Sequence, residues 1–599
     1  MKFTLSIKLL KTLLQNPKFS FYACRKMSQH PKVFVRHLDE EQTMKINFVY
    51  GSPEFPDRNF SFLRSKDEKV EIALLRMRSK IQNSLAQKYS RKKKKLLKDE
   101  EVELPPVDIL LMKDGERIDE NKKNNEVWTS GTQMKINGYV YEISENPPAV
   151  SHLSLPKHIM AGFPVYPKIT LEFCTKDESI FKWYKLIKCD EYSKNKSTDI
   201  VKVKNENWLK LCDNFFYITK ENDIDSKLMI TCIPKWREKI GMEESAVSAT
   251  SVQPGPGRCP FEDRHEQTRK IADNLSLRFV SYNILADLYA DSDTARNELF
   301  PYCPAEFLML DYRKQLYLKE IMGYNADIVC LQEVDRKVFH DDLIPVLSST
   351  GLDGTYNEKG GQVAEGLACF YRSSKFRLIE SGAKILSESV EIEPSLQKIA
   401  SKLQENEKLK ERFMNRTTSV QAVLLESVDN PRKKILVGNT HLYFHPESDN
   451  IRLIQAASCI FYLEHLLQKY KNKDPECTIA LILSGDFNSC PEFGVYKFMT
   501  AGYLAEDCID WKSNAEEVVN GIALSHSLQL DSACGTPEYT NYTEGFVGCL
   551  DYIFYDKSCL EVGDIVPLPT HEQVTEYKAL PNKVFPSDHI ALVCTLKWK

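Results

Sequence analysis

A chain of 599 residues, 42% hydrophobic and 27% charged, is too long for one core and apolar enough to bury several, so it reads as a multidomain globular protein. A net charge of -4 removes a whole-molecule field as a source of attraction to nucleic acid and leaves that to local patches. The 17 cysteines are odd in number and include no Cys-x-x-Cys pair, which argues against a disulfide framework or a structural zinc site and for a reducing compartment; no run approaches the roughly 18 apolar residues of a membrane span.

The chain opens with Lys2, Lys8, Lys11, Lys18, Arg25, Lys26, Lys32 and Arg36 before its first acid, Asp39. On a helical wheel Phe3, Ile7, Leu10 and Leu14 share one face, and Thr4, Lys8, Lys11 and Gln15 share another. A basic, amphipathic, acid-free start fits a mitochondrial presequence, taken as residues 1–38, and implies the matrix; a frayed basic terminus is the alternative. Residues 44–50 read as a strand and 71–89 as a helix through Ile72, Leu75, Ile81 and Leu85. The basic run Arg91 to Lys95 reads as a solvated loop, with RNA contact and a nuclear address as alternatives.

From 128 to 233 the pattern is mostly β, and Asn137-Gly138 between apolar runs signals a hairpin with a type I′ turn. We read a compact β-rich domain, a sandwich, within residues 39–255; Pro254-Gly255-Pro256-Gly257 breaks regular structure and opens a linker over 256–270. Residues 271–599 alternate strands and helices. Strands are expected over 277–285, 326–334, 366–371, 419–425, 434–443, 479–483, 550–555 and 590–596, and a helix over 455–470.

Polar residues gather at the ends of these strands: Asn283, Gln332-Glu333, Asn439-Thr440-His441, Asp486 with Asn488, Asp551, and Asp588-His589. A carboxylate such as Glu333 inside an apolar run carries a desolvation cost unless partnered, and a divalent cation is the natural partner. Aspartate can take a proton from water and asparagine can orient that water, which points to Asp486 and Asn488.

This set, in this order, resembles the exonuclease-endonuclease-phosphatase superfamily, which implies an α/β fold of two packed sheets, here preceded by the smaller β-rich domain. Ser281 to Asp287, Tyr302-Cys303 and Leu310-Asp311-Tyr312-Arg313 resemble its deadenylase branch. Met160 to Pro164 and Phe181 to Lys185 resemble the mitochondrial 2′,5′-phosphodiesterases. The resemblance implies Mg²⁺, with Mn²⁺ as an alternative, held by Glu333, Asn283 and Asp588, with Asp486 and Asn488 as further candidate ligands. It places Asp486, Asn488, His441, Asp551 and His589 in catalysis, Asp551 orienting His589. Asn541 and Phe546 are expected at the substrate, and Arg452 at a phosphate or an acidic neighbour. Its substrates would be 2′,5′-oligoadenylate and 3′,5′ poly(A) tails, cleaved to 5′-AMP, with no obligate protein partner. The alternatives are a phosphatase or sphingomyelinase on the same fold, and a catalytically inactive RNA-binding adaptor.

Overall fold

The computed structural model describes residues 31–52, 55–96, 106–187, 199–203, 205–361 and 363–599. They form two compact units: the described residues of Met1–His152 with Ile169–Ile180 and Cys232–Glu244, and Leu153–Lys168 with Phe181–Thr231 and Ser245–Lys599.

In the first unit, β1 (Lys32–Arg36), β2 (Thr43–Ser52), β3 (Phe55–Ser65), β4 (Ile109–Lys113), β5 (Glu116–Arg117), β6 (Thr132–Ile136) and β7 (Tyr139–Glu145) form one sheet ordered β3-β2-β1-β7-β6-β4-β5. Met44, Ile46, Phe48 and Tyr50 alternate inward along β2 against Leu74, Met77 and Ile81 of helix α1 (Val70–Leu96). The hairpin turn has the expected positive φ at both Asn137 (46°) and Gly138 (85°).

Three expectations change here. Residues 1–30 of the expected presequence lie outside the described residues, but β1 is a central strand with Val33 and Val35 buried, so the chain from Lys32 onward belongs to the fold. The basic run 91–95 is not a loop but the C-terminal part of α1, in keeping with the good helix propensity of Arg and Lys. The strands expected over 128–233 do not make one sandwich. β6 and β7 join the first sheet, whereas Ile180–Ile187, Glu206–Cys212 and Leu228–Ile233 lie in a separate five-stranded sheet. β7 pairs in parallel with β1, far away in sequence, which local periodicity does not report.

The second unit carries two six-stranded sheets. The first is built from β8 (Ser276–Asn283), β9 (Ile328–Asp335), β10 (Leu352–Glu358), β11 (Glu365–Arg372), β18 (Leu560–Ile565) and β19 (Leu592–Trp598), ordered β10-β11-β9-β8-β19-β18. The second is built from β12 (Phe376–Ile385), β13 (Ser419–Ser427), β14 (Lys433–His441), β15 (Thr478–Asp486), β16 (Leu530–Ser532) and β17 (Asp551–Asp556), ordered β12-β13-β14-β15-β17-β16. Phe279, Ile328 and Cys330 from one sheet meet Val437, Ala480 and Ile482 from the other in a shared core. Helix α2 (Asp449–Lys473) packs Ile460, Leu463 and Leu467 on the far face of the second sheet, against Leu481 and Leu483. The interior strands are thus covered on both faces, which is why they read as unbroken apolar runs. This is the two-sheet α/β sandwich expected of residues 271–599.

Candidate active site

Strand register delivers the centre of the site. β14 and β15 run parallel with His441 opposite Asp486, and β15 and β17 run antiparallel with Asp486 opposite Asp551. Three functional side chains therefore stand in a row across neighbouring strands at the rim of the second sheet. The row depends on Gly485: a Cβ there would lie 2.0 Å from the Thr440 carbonyl oxygen, so any larger residue would push β15 away from β14.

The first sheet supplies Asn283 at the end of β8 and Glu333 near the end of β9. Pairing of β9 with β11 slips between Leu331 and Val334, and Glu333 sits in this bulge with φ at 55°. A bulge turns a side chain away from its regular direction, and here it aims the Glu333 carboxylate at the rim. The Asn283 amide joins the two sheets: Nδ2 donates to Glu333 Oε1 at 2.9 Å and to Asp486 Oδ2 at 3.1 Å. The other Glu333 oxygen accepts the Ala286 backbone N–H at 3.0 Å.

His441 and His589 both face Asp486 Oδ2, each with Nε2 at 3.5 Å, yet they differ in charge. His589 Nδ1 donates to Asp551 Oδ2 at 2.8 Å. Burial alone would lower the His589 pKa, but Asp551, Asp486 and Asp588 outweigh it and hold the imidazole well above its ordinary value, hence cationic. At His441, burial and then the Lys359 ammonium push the pKa well below the ordinary value, so this ring is neutral. Burial pushes Asp486 up to about 6, partly opposed by His589, and raises Glu333, with Asp588 adding to the effect.

Desolvated carboxylates crowded at one rim are suited to a cation. Asp486 and Asp551 stand opposite each other on paired strands, Asp588 adds its negative charge to that of Glu333, and Asp551 Oδ1 is buried without a hydrogen-bond partner. With Glu333 on the same Asn283 amide, the donor set fits a divalent metal that prefers oxygen.

The remaining expected residues fall around this centre. Asn488 follows Asp486 in a left-handed conformation (φ 49°); its N–H donates to Asp486 Oδ1 at 2.9 Å and its Nδ2 to the Leu442 carbonyl at 2.9 Å. Asn541 pairs with His589 through an isolated bridge, and its Nδ2 donates to Asp588 Oδ2 at 3.1 Å. Phe546, 43% exposed, leaves its ring accessible on the neighbouring turn. Arg452 meets an acidic neighbour, not open space for a phosphate: it is buried, Nη2 donates to Asp449 Oδ1 at 2.6 Å, and its guanidinium holds the carbonyls of Tyr443, His445 and Pro446. It therefore braces the loop that follows His441.

Four participants were assigned no role from the sequence. Thr540 Oγ1 accepts the N–H groups of Leu550 and Asp551, and Ser587 Oγ donates to the Asn283 carbonyl at 2.7 Å, which ties the His589 loop to β8. Lys359 and Glu365 face each other across the β10–β11 turn, one step beyond the pair Glu358–Gly366. The one available clue was an acid, Glu365, at the start of an apolar strand.

The sandwich with this rim defines a hydrolase of the endonuclease/exonuclease/phosphatase class, and residues 431–589 match the description of that family. Residues 147–253 match the N-terminal domain described as 2′,5′-phosphodiesterase 12-like. The rat protein 2′,5′-phosphodiesterase 12 is 43% identical over 488 residues, 81% of this chain and 79% of that one. Ccr4 of Schizosaccharomyces pombe, the 3′-5′-exoribonuclease subunit of the CCR4-Not complex, is 32% identical over 360 residues, 54% of this chain and 50% of that one. A crystal structure of ANGEL2, a 2′,3′-cyclic phosphatase, is similar with a TM-score of 0.44 and 23% identity, covering 54% of this chain and 96% of that one. The chain belongs to the 2′,5′-phosphodiesterase 12 family. It is an enzyme of the nuclease and phosphodiesterase type, which sets aside the inactive-adaptor alternative.

Proposed function

We propose that the chain is a Mg²⁺-dependent phosphodiesterase and 3′-exoribonuclease that hydrolyses 2′,5′-oligoadenylate and the 3′,5′ poly(A) tails of mitochondrial RNA, releasing 5′-AMP. The observation that carries the chemistry is the row His441–Asp486–Asp551 with His589 locked onto Asp551. The linkage and the RNA substrate rest on the relatives, whose names specify a 2′,5′-phosphodiesterase and a 3′-5′-exoribonuclease. The mitochondrial address rests on the acid-free amphipathic start of the chain.

In this reading Glu333, Asn283 and Asp588 would hold the metal, with Asp486 and Asn488 as further candidate ligands. The bound ion would offset the negative charge that builds on phosphorus and its oxygens. Asp486, raised by burial to about 6, is strong enough as a base to take the proton of the attacking water. Asn488, whose amide nitrogen is tied to Leu442, has its carbonyl oxygen left to orient that water. Cationic His589 donates to a phosphate oxygen as charge accumulates, and neutral His441 donates to another. Phe546 stacks an adenine while Asn541 meets its edge.

The full-length protein should convert both 2′,5′-triadenylate and 3′,5′-oligoadenylate to 5′-AMP with Mg²⁺, and neither with EDTA or as Asp486→Ala. Cleavage of an inositol phosphate or sphingomyelin in their place would overturn the substrate assignment and leave the fold assignment standing.

A further inference from the structure

His441 faces Asp486 Oδ2 at 3.5 Å and Glu333 Oε1 at 3.9 Å through Nε2, both beyond hydrogen-bond length. Its role as a donor to substrate therefore depends on which ring nitrogen carries the proton, and the two carboxylates on the Nε2 side favour a proton there but are too far away to fix it. The Nδ1 side does. Lys359 Nζ lies 3.2 Å from Nδ1. An ammonium has three donors and no acceptor, so Nδ1 must present its lone pair, and the proton of a neutral ring must sit on Nε2.

The lysine is itself fixed. Its Nζ is 2.5 Å from Glu365 Oε1, and the two side chains are 12% and 1% exposed. The Lys359 N–H also donates to the Glu365 carbonyl at 3.1 Å, which closes the hairpin between β10 and β11. Glu365 is thus a buried carboxylate facing the ammonium that contacts His441 Nδ1. The next residue, Gly366, has to be glycine, because a Cβ there would lie 2.1 Å from the Asn357 carbonyl oxygen. Lys359 Nζ thus sits between the Glu365 carboxylate and His441 Nδ1.

We infer that Lys359, held by Glu365, is a positioning residue that locks His441 in its Nε2–H tautomer, so that the ring presents a hydrogen-bond donor to the phosphate. The arrangement mirrors the other histidine: a carboxylate sets His589 through Nδ1, and an ammonium sets His441 through the same atom. The catalytic consequence rests on the proposed phosphodiesterase reading; the tautomer lock does not.

The experiment uses the full-length protein with ¹⁵N-labelled histidine rings, His441 being assigned by loss of its signals in His441→Gln. In the parent protein His441 should show a protonated Nε2 and an unprotonated Nδ1, and Lys359→Met should give signals averaged between tautomers. Because Lys359→Met strands a buried carboxylate, Lys359→Met/Glu365→Gln is measured beside it and should lose the lock in a folded protein. On 2′,5′-oligoadenylate both variants should lose about 10–100-fold in kcat with KM within about threefold, as expected for loss of a residue that orients another. An unchanged ring pattern overturns the inference whatever the activity. A raised KM with kcat retained also overturns it, since Lys359 would then be holding substrate and not His441. Absence of turnover in the parent would sink the substrate reading while the ring signals still judged the lock.

Discussion

His441 and His589 point Nε2 at one oxygen, Asp486 Oδ2, from equal distances of 3.5 Å, one neutral and the other cationic. The difference comes from what lies behind each ring, Lys359 in one case and Asp551 in the other. Replacing Asp551 by asparagine keeps the shape and one acceptor but removes the charge. We expect kcat to fall by about 10²–10⁴-fold, the range for disabling a residue that sustains a general acid or an oriented histidine, with an unchanged far-UV spectrum. Retention of kcat within threefold would mean that the charge on Asp551 is not used.

Glu333 combines two costs, a left-handed backbone at φ 55° and a buried carboxylate whose pKa is raised by burial. Asparagine tolerates that conformation better than glutamate and carries no charge. Glu333→Asn should abolish turnover while leaving metal-free stability equal or higher by about 1 kcal/mol, the usual trade at a strained site. Thermal unfolding without metal provides the check: a clear fall in Tm would show that the carboxylate serves the fold.

The eight strands read from the sequence of residues 271–599 are the interior strands of the two sheets. The four it did not reveal, β10, β18, β12 and β16, are the four edges. Interior strands lie between the shared core and a helical layer, so they appear as apolar runs; edge strands such as β12, with Arg377, Glu380 and Ser381 exposed, carry a mixed pattern. The site followed the same logic. Asp486, His441 and Asp551 end interior strands and were legible, whereas Lys359 lies beyond an edge strand. Arg452 was legible as a cation, but its partners are carbonyls of a loop whose path no pattern encodes.

Gly485 has no functional group, yet it should be as sensitive as the residues beside it. Its missing Cβ is what lets β15 lie against Thr440, and its φ of 151° falls in a region other residues seldom adopt. Gly485→Ala should destabilise the protein by about 3 kcal/mol and separate Asp486 from His441. The loss in activity should exceed what the unfolded fraction explains, as measured by kcat per mole of folded protein from urea titration. Normal kcat in the folded fraction would show that the two strand ends do not need this contact.

His265 provides a pH-dependence away from the site. Its Nε2 donates to the Glu320 carbonyl at 3.0 Å, its ring lies edge-on to Tyr324 at 5.2 Å, and it occupies the space that a Cβ on Gly323 would need. Burial pushes its pKa from 6.5 down to about 4. As pH falls below 6.5 the unfolded chain takes up this proton before the folded one does, so the stabilisation is complete above 6.5 and is lost as pH drops toward 4. The full effect is roughly 3 kcal/mol, set by the shift between the two states. Other groups titrate in this range, so the measurement is a difference: urea midpoints of the parent and of His265→Gln, which keeps a donor for the Glu320 carbonyl, at steps from pH 7 to pH 4. The parent should lose stability more steeply than the variant over this interval. Parallel curves would mean that His265 takes up its proton as readily in the folded protein as in the unfolded chain.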